Sequence, residues 1–431
     1  MIAKSRLKEI ILSNEEFILT QIKRIVKREG IHLPQSLNKV VVFYGVRRSG
    51  KTFILFDLFK KMSERSLYID FEDERLTGFQ TEDLERLKEA VLELKPHLIG
   101  KEMVFFLDEV QNVKGWEKFC RRAVERENIN VYVSGSSSKM MPFEIHTELR
   151  GRSWSIEVFP FSFKEYLRAK NVDVSDKSFV YTAKMALIKN YLIDYINWGG
   201  FPEIAFLESE FEKKKLIGEY LSAMFFRDLV ERYKITNITL LDCLTDKLFS
   251  SFAMKLSLSS FYRQYKDKFS FSKDSLFKYY KHFLQSMLIF EVRKFTESTY
   301  KRMRNPAKIY LIDTGLCKRT TSPDSGRLLE NVIFVELKRR GYDIFYFEEK
   351  RECDFIIKNH KGELLPVQVS FELTEGNRER EIKGLIEACR KLGVNRGTIF
   401  TFDQETEIIM EGIYIQIRPV WKWLIGLIDK L

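Results

Sequence analysis

Lys51 and Thr52 close the stretch Gly45-Val46-Arg47-Arg48-Ser49-Gly50-Lys51-Thr52, a full match to G-x-x-x-x-G-K-[ST]. Glycines at Gly45 and Gly50 let the backbone curl, so that successive N–H groups from Gly45 through Val46, Arg47, Arg48 and Ser49 to Phe53 face phosphate oxygens. Lys51 adds a point charge for the β- and γ-phosphates, and Thr52 offers a hydroxyl to Mg²⁺. A carboxylate pair, Asp108-Glu109, ends the apolar run Met103-Val104-Phe105-Phe106-Leu107. Asp108 suits the Mg²⁺ shell, and Glu109 suits orienting and deprotonating an attacking water. Ser134 and Ser136 follow another apolar run, where a hydroxyl meets the γ-phosphate or the water. Arg150 and Arg152 offer charge that would reach a nucleotide across a subunit boundary.

These residues need a scaffold, and the pattern around them supplies one. Val40 to Tyr44 reads as a buried strand, and Phe53, Ile54, Phe56, Leu58 and Phe59 follow the loop at helical spacing. Strand, glycine loop and helix are the context the motif requires. Further strands are expected at Ser66 to Phe71, Met103 to Glu109, Val131 to Ser134 and Trp154 to Phe159, which makes a five-stranded parallel sheet. Helices are expected from Lys4 to Gly30, with Phe17 on the apolar face, from Thr81 to Leu94, capped by Thr81, and from Trp116 to Val124.

The composition narrows the partners. The chain has 431 residues, enough for two or three domains, with 72 Lys+Arg against 61 Asp+Glu and a formal charge of +11. Such a balance favours an acidic partner, nucleic acid before anionic membrane. Five scattered cysteines without a C-x-x-C, and histidines without a ligand pair, point to reduced, non-metal thiols in a cytoplasm. The N-terminus reads as neither signal peptide nor membrane span, and no stable membrane insertion is expected.

GVRRSGKT, FFLDEVQ, VSGSSS, ELRGRS followed by VFPFSFKEYL, then NWGGFPEI and FFRDLVERY, resemble archaeal and bacterial AAA-type ATPases that carry a winged-helix module and a C-terminal restriction-endonuclease-like domain. The resemblance covers nearly the whole chain. It implies an α/β fold with an AAA-like P-loop sheet, ATP rather than GTP, and a homo-oligomeric ring, with a hexamer among the options. It divides the chain into a P-loop core at residues 1–160, a helical lid at 161–235, a winged helix at 236–306 and the endonuclease-like (PD-(D/E)xK-like) α/β domain at 307–431.

Inside the third segment, helices starting near Leu256 and Ser275 and a strand at Leu288 to Arg293 read as helix, turn, helix, strand. Lys278, Lys281, Tyr279 and His282 are expected on or near the face presented to DNA, with Lys301, Arg302 and Arg304 in a basic wing. In the last segment Asp354 and Gln368 fall on successive strands and Glu330 on the preceding helix, as in a restriction-type core that binds a divalent metal. Gln368 stands where a carboxylate is usual, and Ser370 replaces the lysine. Lys350 and Lys361 would substitute only by an unusual route. The departures argue for a degenerate scaffold that does not cut.

The reading that follows is a Mg²⁺-dependent ATPase that remodels or translocates DNA, branched DNA included. Two alternatives stand beside it: an ATP-gated nuclease, against which the missing E-x-K tells, and a nucleotide-switched binding or signalling protein, against which Glu109 tells.

Overall fold

The computed structural model describes residues 2–34, 38–136, 140, 142–175, 183–296, 298, 305–319 and 324–428. The chain divides into two compact units, Met1–Phe159 and Pro160–Leu431.

The first unit is built on the expected parallel sheet. Its strands are β1 (Val40–Tyr44), β2 (Ser66–Asp70), β3 (Met103–Asp108), β4 (Ile129–Gly135) and β5 (Ser153–Glu157), in the order β2-β3-β4-β1-β5. Every neighbouring pair is parallel. Helices cover both faces, which is why β1 and β3 read as unbroken apolar runs and not as alternation. Val40, Val42, Phe105 and Leu107 pack with Leu7, Ile10, Leu84 and Phe119 on one face. Val41, Phe43, Val104 and Phe106 pack with Ile54, Leu55 and Phe59 on the other.

Three local expectations are corrected. The first helix is Lys4–Gln21, followed by a single 3₁₀ turn at Ile22–Arg24, and does not run to Gly30. Arg28 is used differently: its guanidinium donates to the Ser49 carbonyl at 2.8 Å and the Phe159 carbonyl at 2.5 Å, behind the phosphate loop. Phe17 on that helix is 54% exposed. The helix expected from Thr81 begins at Asp83, with Glu82 at the cap position and no side-chain cap; the Thr81 hydroxyl donates to the Lys114 carbonyl. The buried Asp83 carboxylate takes the backbone N–H groups of Gln80 and Ile2.

The second unit opens with a helix at Phe163–Ala169, whose Ser162 and Glu165 form a reciprocal capping box. Helices follow at Ala183–Trp198 and Glu210–Ala223, the latter running into a π-helical stretch at Met224–Glu231. Helices Leu258–Tyr265 and Lys273–Gln285 are capped by Ser257 and Ser272, each accepting the N–H three residues on.

A nine-stranded mixed sheet completes this unit. Its strands are β6 (Met254–Leu256), β7 (Ile289–Lys294), β8 (Ala307–Leu311), β9 (Asp343–Glu348), β10 (Glu352–Lys358), β11 (Leu364–Val369), β12 (Arg396–Thr401), β13 (Thr406–Met410) and β14 (Ile413–Pro419). The order is β13-β14-β12-β11-β10-β9-β7-β8-β6. β8 pairs antiparallel with both β6 and β7, while β7 pairs in parallel with β9, so one sheet runs without a break from β6 to β13. The helices Ser325–Arg339 and Arg378–Leu392 flank β9 to β11 in chain order.

All five cysteines are free, four of them buried. No helix among the described residues is long and apolar enough to cross a membrane.

Candidate active site

The phosphate loop leaves the C-terminal end of β1. Gly50 caps the helix Lys51–Met62 at φ +92°, a left-handed conformation that a side chain resists. A Cβ at Gly45 would lie 2.2 Å from the Val158 carbonyl oxygen, so the loop's first position admits only glycine. Lys51 is buried, and its ammonium donates to the carbonyls of Gly45 and Val46 at 3.1 and 3.0 Å. Ser49 Oγ is buried inside the curl without a hydrogen-bond partner. Arg47 pairs with Glu72 at 3.5 Å, and Arg48 adopts φ +68°.

Strand order brings the carboxylates to the loop. Asp108, at the end of β3, is 1% exposed. Its carboxylate accepts hydrogen bonds from Tyr68 Oη at 2.9 Å and from Ser134 Oγ, and the Thr52 hydroxyl also bonds to it. Burial pushes the Asp108 carboxyl up, the adjacent Glu109 charge adds to this, and the three hydroxyls oppose it. Glu109 sits at φ +48°, with its side chain fixed from the residue that follows β4: Ser136 Oγ donates to its Oε2 at 3.1 Å and Ser136 N at 3.4 Å. Gln111 Nε2 donates to the same oxygen. Lys51, Thr52, Asp108, Glu109, Ser134 and Ser136 thus lie at or just beyond the carboxyl ends of β1, β3 and β4, beside the loop from Gly45 to Phe53.

Asp70 and Tyr68 also meet this cluster, and no contiguous motif marks either of them. Asp70 lies directly opposite Asp108 in the β2–β3 register. Burial pushes its carboxyl up to about 7, opposed by a hydrogen bond from the Glu72 N–H and reinforced by Asp108. The available signal was an acid closing the second apolar strand, as Asp108 closes the third. Only the strand order makes the two neighbours.

Arg150 and Arg152 stand elsewhere. They precede β5, whereas the phosphate loop follows β1, its parallel neighbour; the Arg152 carbonyl accepts the N–H of Val40 at the start of β1. The length of β5, about 16 Å, separates them from the loop's edge. Arg152 pairs with Glu125 at 2.6 Å. Neither serves its own chain's loop, so a part in phosphoryl transfer requires a second copy.

In the second unit Lys278 and Lys281 are exposed on the helix Lys273–Gln285. Tyr279 and His282, expected on or near that exposed face, are each only 8% exposed and turn inward. Tyr279 Oη accepts the Asn237 N–H, and the His282 ring stacks on Tyr233 at 3.7 Å. Lys301, Arg302 and Arg304 lie outside the described residues.

Glu330, Asp354 and Gln368 do converge, all three buried, in a cleft of about 620 Å³. Gln368 is not turned toward a metal. Its Oε1 accepts the Asp354 N–H at 3.1 Å, and its Nε2 donates to Glu381 at 2.6 Å. Neither Lys350 nor Lys361 bonds to these acids; Lys308, from β8, does, together with Glu352.

Residues 37–167 match the family model of the AAA domain. Residues 189–325 and 325–420 match two domains of unknown function, DUF8612 and DUF4143. An uncharacterized protein of Haemophilus influenzae is 27% identical over 354 residues, 79% of this chain and 85% of its own. Among solved structures, the Aeropyrum pernix ORC1 protein in complex with DNA is 13% identical, with 77% of this chain and 94% of that chain covered, at a TM-score of 0.30. The Thermotoga maritima RuvB Holliday junction branch migration motor is 14% identical, with 70% and 99% covered, at 0.29. The uncharacterized protein MJ1544 of Methanocaldococcus jannaschii is 37% identical over 430 residues, covering 96% of this chain and 94% of its own. With that extent of identity and its own AAA domain, the chain belongs to one family with MJ1544, a family of AAA-type P-loop ATPases.

Proposed function

We propose that the chain hydrolyses ATP with Mg²⁺ and uses the cycle to remodel or translocate DNA as a homo-oligomer. The observation that carries the ATPase reading is the convergence of Lys51, Thr52, Asp108 and Glu109 at the carboxyl ends of neighbouring strands. The residues present fit a nucleotide and its ion: the curl keeps a buried hydroxyl unpartnered at Ser49, and an ammonium at Lys51 donates to neutral carbonyls. Thr52 and Asp108, already bonded to each other, would hold the ion. When bound, Mg²⁺ neutralises charge that develops on the phosphates. Lys51 binds the β- and γ-phosphate oxygens. Glu109, aimed by Ser136 and Gln111, takes the proton of the attacking water. Arg150 or Arg152 of a neighbouring copy supplies positive charge to the transition state.

The DNA half rests on the helix Lys273–Gln285, the second of a capped helix–turn–helix pair, which exposes Lys273, Lys278 and Lys281. The formal charge of +11 favours the same partner. The test is binding to duplex, single-stranded and branched DNA across salt concentrations. Affinity should fall steeply with salt, and the salt slope should drop by about 1 for each phosphate contact removed in Lys278→Glu, Lys281→Glu, Arg302→Ala and Arg304→Ala. Undetectable or salt-independent binding removes DNA from the reading and leaves the ATPase standing.

A further inference from the structure

We infer that the acid cluster in the second unit's cleft is a cation site filled by the chain itself: the Lys308 ammonium takes the point where a divalent ion would have to sit, so the cleft is metal-independent and does not cut phosphodiesters.

Three observations carry this. First, the ammonium has three hydrogens, and three carboxylates receive them. Lys308 Nζ lies 2.6 Å from Glu352 Oε1, 3.0 Å from Asp354 Oδ1 and 3.2 Å from Glu330 Oε1. A divalent ion needs oxygens at about 2.0–2.6 Å, and an ion placed so against these atoms would overlap the ammonium. Second, the other ligand atoms are engaged. Asp354 Oδ2 accepts the Val369 N–H at 3.0 Å, Glu330 Oε1 also accepts Tyr310 Oη at 2.5 Å, and the Gln368 amide is turned onto Asp354 N and Glu381. Third, the lysine is built in. Its side chain is 3% exposed, on a strand paired on both sides.

Lys308 also stays charged. Burial alone would push its ammonium down, but Glu330, Tyr310, Asp354 and Glu352 outweigh burial and hold it well above the ordinary lysine range. Burial and the Asp354 charge push the Glu330 carboxyl up to about 7 in spite of Lys308. Among the described residues, no group of three or more His, Cys, Asp or Glu is arranged to hold a metal ion. The metal implied by the resemblance to a restriction-type core therefore does not fit. The inference is independent of the nucleotide chemistry of the first unit.

The experiment is a Mn²⁺ titration, followed by electron paramagnetic resonance, of the full chain without nucleotide. Asp108→Asn is included to silence the phosphate-loop edge. With Lys308 intact, no Mn²⁺ should bind more tightly than about 1 mM. With Lys308→Met added, the freed carboxylates should bind one Mn²⁺ per chain at least tenfold more tightly. The melting temperature, lowered by about 10 °C, should then climb with added Mn²⁺. A micromolar Mn²⁺ site in the Lys308-intact chain that Asp354→Asn abolishes would overturn the inference. So would a folded Lys308→Met variant that ignores Mn²⁺. If that variant is recovered only as aggregate, the titration of the Lys308-intact chain decides alone.

Discussion

The two units each bury a lysine and a set of carboxylates, and they hold the carboxylates in different ways. In the phosphate loop, Lys51 donates to backbone carbonyls, and Asp108 is held by the hydroxyls of Tyr68, Ser134 and Thr52. In the cleft, Lys308 is ion-paired to Glu330, Glu352 and Asp354 at once. A carboxylate held by hydroxyl dipoles, as Asp108 is, keeps its field, so an incoming cation gains by replacing the dipoles. In the cleft the Lys308 ammonium already stands where a cation would bind, so the acids offer an incoming cation little. The first arrangement is suited to exchange with substrate, the second to holding a fold together.

The sharpest way to break this comparison is to remove each lysine. Lys308→Met leaves acids buried without a countercharge and should destabilise the second unit by about 3–5 kcal/mol in urea unfolding. Lys51→Met should lower ATP hydrolysis by about 100-fold or more while changing stability far less. Equal stability losses would erase the distinction.

Smaller effects test the scaffold. The NWGGFPE stretch packs against Asp313, whose carboxylate accepts the N–H groups of Gly200 and Gly315 at 2.7 and 2.8 Å. Gly199 has φ +78°, and a Cβ there would lie 1.6 Å from Asp313 Oδ1. Gly199→Ala should cost about 2–3 kcal/mol, measured by thermal unfolding.

Burial pushes the Asp313 carboxyl up to about 7, against those two N–H groups and the Arg339 charge. Its folded value lies above its unfolded one. Its contribution to stability is therefore full below about pH 4 and is lost as pH rises through about 7. Between pH 5 and pH 8 the urea midpoint of the natural chain should fall more than that of Asp313→Asn. Parallel pH profiles would contradict the assignment. The smallest effect expected is that of Arg152→Ala on stability, about 0–1 kcal/mol for an exposed pair with Glu125.

What could be read from the sequence was local in the chain. The phosphate loop, the strand before it and the carboxylates closing β3 are contiguous patterns, and the five parallel strands follow from apolar runs buried on both faces. What could not be read depends on which strands become neighbours. Asp70 joins Asp108 only through the β2–β3 register, and Lys308 meets Glu330 and Asp354 across 22 and 46 positions of chain. Tyr279 and His282 carry polar atoms, and a polar residue on a short helix does not reveal which face packs. Only tertiary structure turns the His282 ring onto Tyr233.

The most direct test of the proposed ATPase is a paired measurement on Glu109→Gln: equilibrium binding of Mg·ATP, and single-turnover hydrolysis on the same sample. The predicted result is ATP affinity close to that of the natural chain, with hydrolysis slower by about 100-fold or more, because the amide keeps the bonds to Ser136 and Gln111 in part but accepts no proton. Hydrolysis at the natural rate in that variant would contradict the account.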